Sequence, residues 1–177
     1  DSGNEWTWVG AGNINGTGND EIALIDRNVG NLSVYTISGN ELERLYRHSN
    51  LEKAWQDGAI GQFVGGGDAE LAAGRETVYD LPSLVVKQYR GGSWDPDAFG
   101  EYFDPPPEAV FMGDLTGNGD DEVVVLRLVP SNMAGRPRLF VRDNGNDEIG
   151  LGELSLDADN GYRTGVAGDI DGDGRDE

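Results

Sequence analysis

The sequence has no cysteine, so neither disulfide bonds nor thiolate metal ligands hold the fold together. Basic residues are few: 13 Lys and Arg stand against 33 Asp and Glu, which gives a formal net charge of −20. Such a charge repels nucleic acids and anionic membrane surfaces and favours cations as partners. No apolar run approaches the roughly 20 residues that span a bilayer, so we expect no membrane insertion.

Glycine, in contrast, is abundant. The chain of 177 residues contains 28 glycines and only two methionines, and its apolar fraction is 37%. Glycine disfavours helices, whereas short apolar segments separated by glycine-rich turns are typical of strands. The composition therefore predicts an all-β fold.

A segment of nine residues recurs four times, each time with a glycine before it and a glutamate at its end. We number its positions 1 to 9 and call the copies loop 1 (13–21), loop 2 (62–70), loop 3 (114–122) and loop 4 (169–177). With the preceding glycine they read GNINGTGNDE, GQFVGGGDAE, GDLTGNGDDE and GDIDGDGRDE. Their first positions are 49, 52 and 55 residues apart. This period suits a repeated unit of four strands, which takes about 40 to 50 residues.

Strand-like segments occupy equivalent places in each repeat. The aliphatic runs EIALID, ELAAG and EVVVLRLV begin at the last residue of loops 1, 2 and 3. Further on, NLSVYTISGN, SLVVKQYRGG and RLFVRDNGND each place a strand before a turn. The segment ELERLYRHS fits a helix as well as a strand, and the four-stranded unit favours a strand. The proline- and glycine-containing stretches 93–108 and 129–137 are predicted to be loops.

The side chains of the loops are suited to calcium, which takes six to eight oxygen ligands. Oxygen side chains at positions 1, 3, 5 and 9, with a backbone carbonyl at position 7, would surround the ion. Loop 4 has four carboxylates there, loop 3 has two and loop 1 has one, whereas loop 2 has Gln62, Val64 and Gly66 and is expected to be empty. Turn formation without metal remains the alternative for loops 1 and 2. The side-chain ligands so predicted are Asp169, Asp171, Asp173 and Glu177 in loop 4, Asp114, Thr116, Asn118 and Glu122 in loop 3, and Asn13, Asn15, Thr17 and Glu21 in loop 1.

The segments GDLTGNGDDEVVV and GDIDGDGRDE resemble the FG-GAP/VCBS repeats of integrin-type and bacterial secreted β-propellers. The resemblance implies blades of four antiparallel strands, with a calcium-binding loop between the first and second strands. It implies three complete blades, at about 6–50, 55–103 and 107–157, and the start of a fourth at about 161–177. We expect an excerpt of a larger propeller, for example a seven-bladed one, whose ring is closed by further blades or by another copy. Position 7 then completes the ligand sets with Arg175, Asp120 and Asn19.

The same resemblance implies a secreted or cell-surface module that binds calcium. Its expected role is non-catalytic, in adhesion, in binding a protein or glycan ligand, or in surface structure. Part of a secreted glycan-active enzyme, a polysaccharide lyase or hydrolase, is the alternative. No catalytic constellation is identifiable in the sequence, which favours the first reading.

Four further side chains bear on the choice between these two functions. His48, the single histidine, is interpreted as a solvated strand or turn residue rather than a general base. Trp94, Tyr102 and Phe103 are able to stack on sugar rings, as a carbohydrate-binding surface would require, but packing between blades is the favoured account.

Overall fold

The computed structural model describes residues 6–49, 55–65, 68–75, 82–90, 92–94, 99–103, 105–128, 137–143, 154–155 and 165–177. The described residues form fourteen β-strands and no helix, so the all-β prediction is confirmed. Accordingly, this part of the chain has no helix long and apolar enough to cross a membrane.

The strands form three four-stranded antiparallel sheets. Sheet 1 contains β1 (Trp8–Gly12), β2 (Glu21–Asp26), β3 (Asn31–Ser38) and β4 (Glu41–Ser49) in that order. Sheet 2 contains β5 (Trp55–Gly61), β6 (Glu70–Arg75) and β7 (Leu84–Lys87); a separate hairpin of β8 (Tyr89–Arg90) and β9 (Ser93–Trp94) precedes its last strand, β10 (Phe99–Glu101). Sheet 3 contains β11 (Ala109–Gly113), β12 (Glu122–Leu128), β13 (Pro137–Arg142) and β14 (Leu154–Ser155).

The segments whose structure was ambiguous or irregular in the sequence can be compared with these strands. The segment ELERLYRHS is strand β4, as predicted, and it pairs with β3 across a bulge at Val34 and Tyr35. The prediction of a loop over 93–108 is wrong in part, because β9 and β10 lie within this range. Strand β10 pairs with β7, and its Phe99 is buried. The loop predicted over 129–137 lies outside the described residues except for Pro137, which begins β13.

The sheets pack face to face in chain order through two apolar clusters. Strand β6 lies in the middle sheet and is buried on both faces, which is why it reads as a continuous apolar run. The cluster between sheets 1 and 2 contains Ile14, Ala23, Ile25, Leu32, Val34, Trp55, Leu71, Ala73 and Val85. The cluster between sheets 2 and 3 contains Ala59, Phe63, Ala72, Leu84, Val86, Phe99, Phe103, Val110, Val123 and Val125. The first strands of the three sheets are also neighbours, since β5 contacts both β1 and β11.

Candidate functional site

The four loops lie side by side in what we call the loop row. Loops 1, 2 and 3 join the first and second strands of sheets 1, 2 and 3, and loop 4 follows residues 165–168. Each loop is hydrogen-bonded to the one before it, from the backbone N–H at its position 8 to the carbonyl at position 1. The three bonds are Ala69 to Asn13 at 2.9 Å, Asp121 to Gln62 at 2.8 Å and Asp176 to Asp114 at 2.8 Å. The four copies of the repeat thus form one continuous row of hydrogen-bonded loops, the loop row.

Glycines at positions 4 and 6 give the loops a common backbone conformation. Their φ angles are positive, in the left-handed region that glycine adopts at least cost. Position 6 of loop 2 lies outside the described residues. At position 4 the φ angles are +71° for Gly16, +72° for Gly65, +74° for Gly117 and +82° for Gly172, and at position 6 they are +87° for Gly18, +91° for Gly119 and +89° for Gly174. Loop 2 therefore keeps the left-handed backbone conformation at position 4, although it lacks the predicted ligand side chains at positions 1, 3 and 5.

The side chain at position 1 organises the loop that follows it. An oxygen of Asn13, Asp114 and Asp169 accepts the backbone N–H of the position-6 glycine at 3.1, 2.8 and 3.0 Å, respectively. The other oxygen of Asp114 also accepts the N–H of Gly117 at 2.7 Å. A carboxylate has about four acceptor sites, so these bonds leave capacity for a cation. Gln62, at position 1 of loop 2, is exposed.

The glutamate at position 9 closes the loop. In loops 1 to 3 it is buried and accepts the backbone N–H of position 3, from Asn15 to Glu21 at 3.0 Å, from Val64 to Glu70 at 3.2 Å and from Thr116 to Glu122 at 3.1 Å. In loop 4 the donor is Ile170 N–H at position 2, and Glu177 is exposed. Burial raises the pKa of Glu70 and of Glu122 above the ordinary value, although these hydrogen bonds oppose the rise. This structural role of position 9 was not predicted, although Glu70 is kept in loop 2, where the other ligand side chains are absent.

Loop 4 brings three of its predicted ligands together. One oxygen each of Asp169, Asp171 and Glu177 lies within 4.8 Å of the other two, and all three residues are exposed. No other set of three acidic or histidine residues among the described ranges meets this condition. Asp173 lies outside the set, and its Oδ1 accepts the backbone N–H of Arg175 at 2.9 Å. An arrangement of oxygen donors alone is suited to a hard cation such as Ca²⁺.

The predicted ligands of loop 3 are mostly engaged with one another. Thr116 Oγ1 donates to Glu122 Oε1 at 3.2 Å, and Asn118 Oδ1 accepts the N–H of Asp120 at 2.7 Å. The Asp120 side chain lies against loop 2, since a Cβ added to Gly65 would be 2.8 Å from its Oδ1. The side chain of Asp120 thus lies toward loop 2, whereas the ligand predicted at position 7 of loop 3 is the backbone carbonyl of Asp120.

Loop 1 shares with loop 3 the hydrogen bond between the side chains at positions 3 and 9, here with a neutral amide at position 3. Asn15 Nδ2 donates to Glu21 Oε1 at 2.7 Å, and Asn15 Oδ1 accepts the N–H of Thr17 at 2.8 Å. Thr17 and Asn19 are exposed.

In loop 2, Val64 packs on the apolar cluster between sheets 2 and 3, and Gly66 lies outside the described residues. Only loop 4 thus combines several carboxylates with exposure.

Side chains at positions 7 and 8 reach across to the preceding loop. Asp121 Oδ2 accepts the N–H of Gln62 at 2.7 Å, and Asp176 Oδ2 accepts the N–H of Asp114 at 3.1 Å. Burial raises the pKa of Asp121; the Gln62 N–H opposes this, and neighbouring carboxylates, including Asp176 and Asp114, add to it. The sequence-based prediction gave a role only to position 7, as a carbonyl ligand within its own loop.

Models of known protein families do not match the chain, and a search of curated proteins finds no significantly similar relative.

Of the three aromatic residues considered for stacking on sugar rings, Trp94 and Phe103 pack against other aromatic side chains. Phe103 is buried, with its ring centroid 5.6 Å from that of Phe140, and Trp94 lies 4.8 Å from Tyr46 by the same measure. Only Tyr102 of the three is exposed. Packing, which the sequence analysis favoured over sugar binding for these aromatic side chains, thus fits Trp94 and Phe103.

His48 is less exposed to solvent than the sequence predicts. This histidine is a strand residue, as predicted, but it is half-buried. Its Nδ1 accepts Trp55 Nε1–H at 3.4 Å, and its ring lies edge-to-face with Trp55.

A cavity of about 250 Å³ lies beside the first strands of sheets 2 and 3. It is lined largely by apolar side chains, together with Asp57. Asp57 Oδ2 accepts the N–H of Val110 at 2.9 Å and so joins sheet 2 to sheet 3. Burial raises the pKa of Asp57, while the N–H groups of Val110 and Gly58 and the charge of Arg27 oppose the rise.

Asp57→Asn tests the cost of this half-buried charge. Because the folded-state pKa is raised, protonation contributes stability that is fully present below the unfolded pKa, near 3.8, and is lost as the pH rises through the folded value. We therefore expect the stability of the wild type, relative to Asp57→Asn, to fall as the pH rises from about 4 to about 7. Urea unfolding of both proteins across this range measures the difference, and parallel pH profiles would contradict the prediction.

Proposed function

We propose that this chain is a calcium-stabilised, non-catalytic β-propeller module of the FG-GAP/VCBS repeat type. The observation that carries the proposal is the convergence of Asp169, Asp171 and Glu177 in loop 4. Three carboxylates in such proximity repel one another, and a bound cation relieves that repulsion. The module would act outside the cell or at its surface, in adhesion, in binding a protein or glycan ligand, or in surface structure.

The proposed calcium ligands differ in charge from loop to loop. In loop 4 the carboxylates of Asp169, Asp171 and Glu177 would hold the ion, with Asp173 and the carbonyl of Arg175 completing the set. Loop 3 offers the carboxylates of Asp114 and Glu122 beside neutral oxygens, and loop 1 offers only Glu21. Since affinity rises with ligand charge, loop 4 should bind most tightly and loop 1 most weakly. The bound ion would supply positive charge that fixes the turn between the first two strands.

The propeller architecture is supported by the order and packing of the sheets. Three up-and-down four-stranded sheets stack in chain order with their first strands adjacent, as blades do around an axis. On the outward face of sheet 1, Ile22 and Leu24 are only half-buried. Their equivalents in sheets 2 and 3 are fully buried against the preceding sheet, namely Leu71, Ala73, Val123 and Val125. We propose that further blades, or another copy of the chain, cover the face of sheet 1.

An extracellular setting is supported by the exposure of the loop-4 ligands. Calcium sites of extracellular modules have Kd values of about 10⁻⁴ to 10⁻³ M, a range that only the calcium concentration outside cells saturates. The charge of −20 is consistent with a cation as the stabilising partner.

Calcium is expected to raise the melting temperature of the full chain. A hundredfold excess over Kd stabilises the folded state by about 2.7 kcal/mol, which corresponds to several degrees for a chain of this size. Asp171→Asn should abolish most of the shift, because it removes one converging carboxylate of loop 4. Differential scanning calorimetry in calcium and in EGTA measures the effect.

Asp20→Asn is the matched control for charge. Asp20 is an exposed acid at position 8 of loop 1 and is not a proposed ligand, so its variant should keep the full calcium shift. A wild-type protein with the same melting temperature in calcium and in EGTA would refute calcium stabilisation.

A further inference from the structure

Asp176 holds both backbone groups of a residue in the neighbouring loop. Its Oδ2 accepts the N–H of Asp114 at 3.1 Å, and its own N–H donates to the Asp114 carbonyl at 2.8 Å. Asp121 forms the same pair of bonds with Gln62, at 2.7 and 2.8 Å. Ala69, at the equivalent place in loop 2, has only the backbone bond to Asn13. The side chain at position 8 therefore converts one inter-loop bond into a two-point clamp.

The residue clamped by Asp176 is the proposed position-1 calcium ligand of loop 3. The Asp114 carboxylate accepts three backbone N–H groups of its own loop, from Gly117 at 2.7 Å, Asn118 at 3.0 Å and Gly119 at 2.8 Å. These bonds orient the carboxylate within loop 3, while the clamp fixes the Asp114 backbone relative to loop 4. A ligand whose backbone is already fixed loses less conformational freedom when the ion binds.

We propose that Asp176, which is not itself a ligand, is a positioning residue for the calcium site of loop 3, and that calcium in loop 4 thereby strengthens binding in loop 3. This inference rests on the proposed function. Asp176 lies between Arg175 and Glu177, two proposed ligands of loop 4, so an ion there fixes the backbone from which Asp176 reaches Asp114. Linkage is reciprocal, so calcium in loop 3 strengthens binding in loop 4 by the same factor.

Arg175 adds a second contact at this junction. A Cβ added to Gly117 would be 2.8 Å from Arg175 Cγ and 3.0 Å from its Nε, so the Arg175 stem lies directly on position 4 of loop 3. Repulsion between the two bound ions opposes the coupling, but the loop-4 ligands are exposed and the repulsion is screened at physiological salt. The clamp acts through direct hydrogen bonds, which salt screens far less.

The test is calcium titration of the full chain and of Asp176→Ala by isothermal titration calorimetry. The loop-3 event is assigned as the one that Asn118→Ala weakens, because Asn118 is an exposed position-5 ligand of that loop. Losing the hydrogen bond from the Asp114 N–H, at the ordinary net value of one such bond, should weaken loop-3 binding by about 3- to 10-fold in Asp176→Ala. Asp171→Asn, which disables loop 4, should weaken loop 3 in the same direction.

Two control variants separate positioning from charge. Asp176→Asn keeps an oxygen that can accept the Asp114 N–H, so it should retain most of the loop-3 affinity. Asp20→Ala removes the same side chain from the same loop position and should bind as the wild type does. The inference is overturned if Asp176→Ala binds calcium in loop 3 like the wild type, or if Asp176→Asn loses as much affinity as the alanine variant. A wild-type chain that binds no calcium would instead refute the proposed function, so the two failures are distinguishable.

Discussion

Phe63→Ala is expected to lower the free energy of unfolding by about 3 to 5 kcal/mol. Phe63 occupies position 2 of loop 2, yet its side chain is only 1% exposed. Its ring lies edge-to-face with Phe99 at a centroid distance of 5.6 Å, and it belongs to the cluster that joins sheets 2 and 3. Truncation removes apolar contact and leaves a cavity between two sheets that cannot easily collapse. Urea unfolding followed by tryptophan fluorescence measures the loss.

Ile170→Ala is the matched control, because Ile170 holds the same position in loop 4 but is 82% exposed. Its variant should differ from the wild type by no more than about 0.5 kcal/mol. Equal losses in the two variants would contradict the view that position 2 stabilises the fold by filling the space between two sheets.

The repeat was the most informative feature of the sequence, because it fixed where the strands had to lie. The segment ELERLYRHS was ambiguous by its own apolar spacing, and only the four-stranded unit favoured the strand that the structure contains. Strand β10 was missed because its three residues lie between segments rich in aspartate and proline. Pairing with β7 and burial of Phe99 stabilise that strand, and neither is visible in the local sequence.

The candidate site was predictable within each loop but not between loops. Glycine and oxygen side chains at fixed positions follow from the geometry of a single turn, so the convergence in loop 4 could be anticipated from its spacing. The contacts of Asp121 and Asp176 depend on how adjacent sheets stack, which a spacing of about fifty residues does not reveal. The partial burial of His48 was not predictable for the same reason, since the Trp55 that contacts it belongs to the next sheet.

The glycine before position 1 is present in all four repeats, and its reason differs from that of the turn glycines. Gly113 is not among the glycines with positive φ, so the conformation of the backbone does not require glycine there. A Cβ at Gly113 would instead collide with Ala167 Cβ and would come within 2.6 Å of Asp176 Oδ2. At Gly12 the corresponding atom would be 2.5 Å from Ile60 Cγ2. Each of these glycines lies where the next repeat packs closely against the end of the first strand.

Gly113→Ala is therefore expected to destabilise the protein by about 1 to 3 kcal/mol, the usual cost of overpacking. Ala167 Cβ is attached directly to the backbone and cannot rotate away, so residues 165–168 would have to move. Gly168→Ala, the same change one repeat later, meets nothing within 4 Å and should alter the free energy of unfolding by no more than about 0.5 kcal/mol. Chemical unfolding of both variants in EGTA measures packing without any contribution from calcium. Comparable losses in the two would indicate that glycine is needed at this position for the conformation of the loop rather than for the approach of the next repeat.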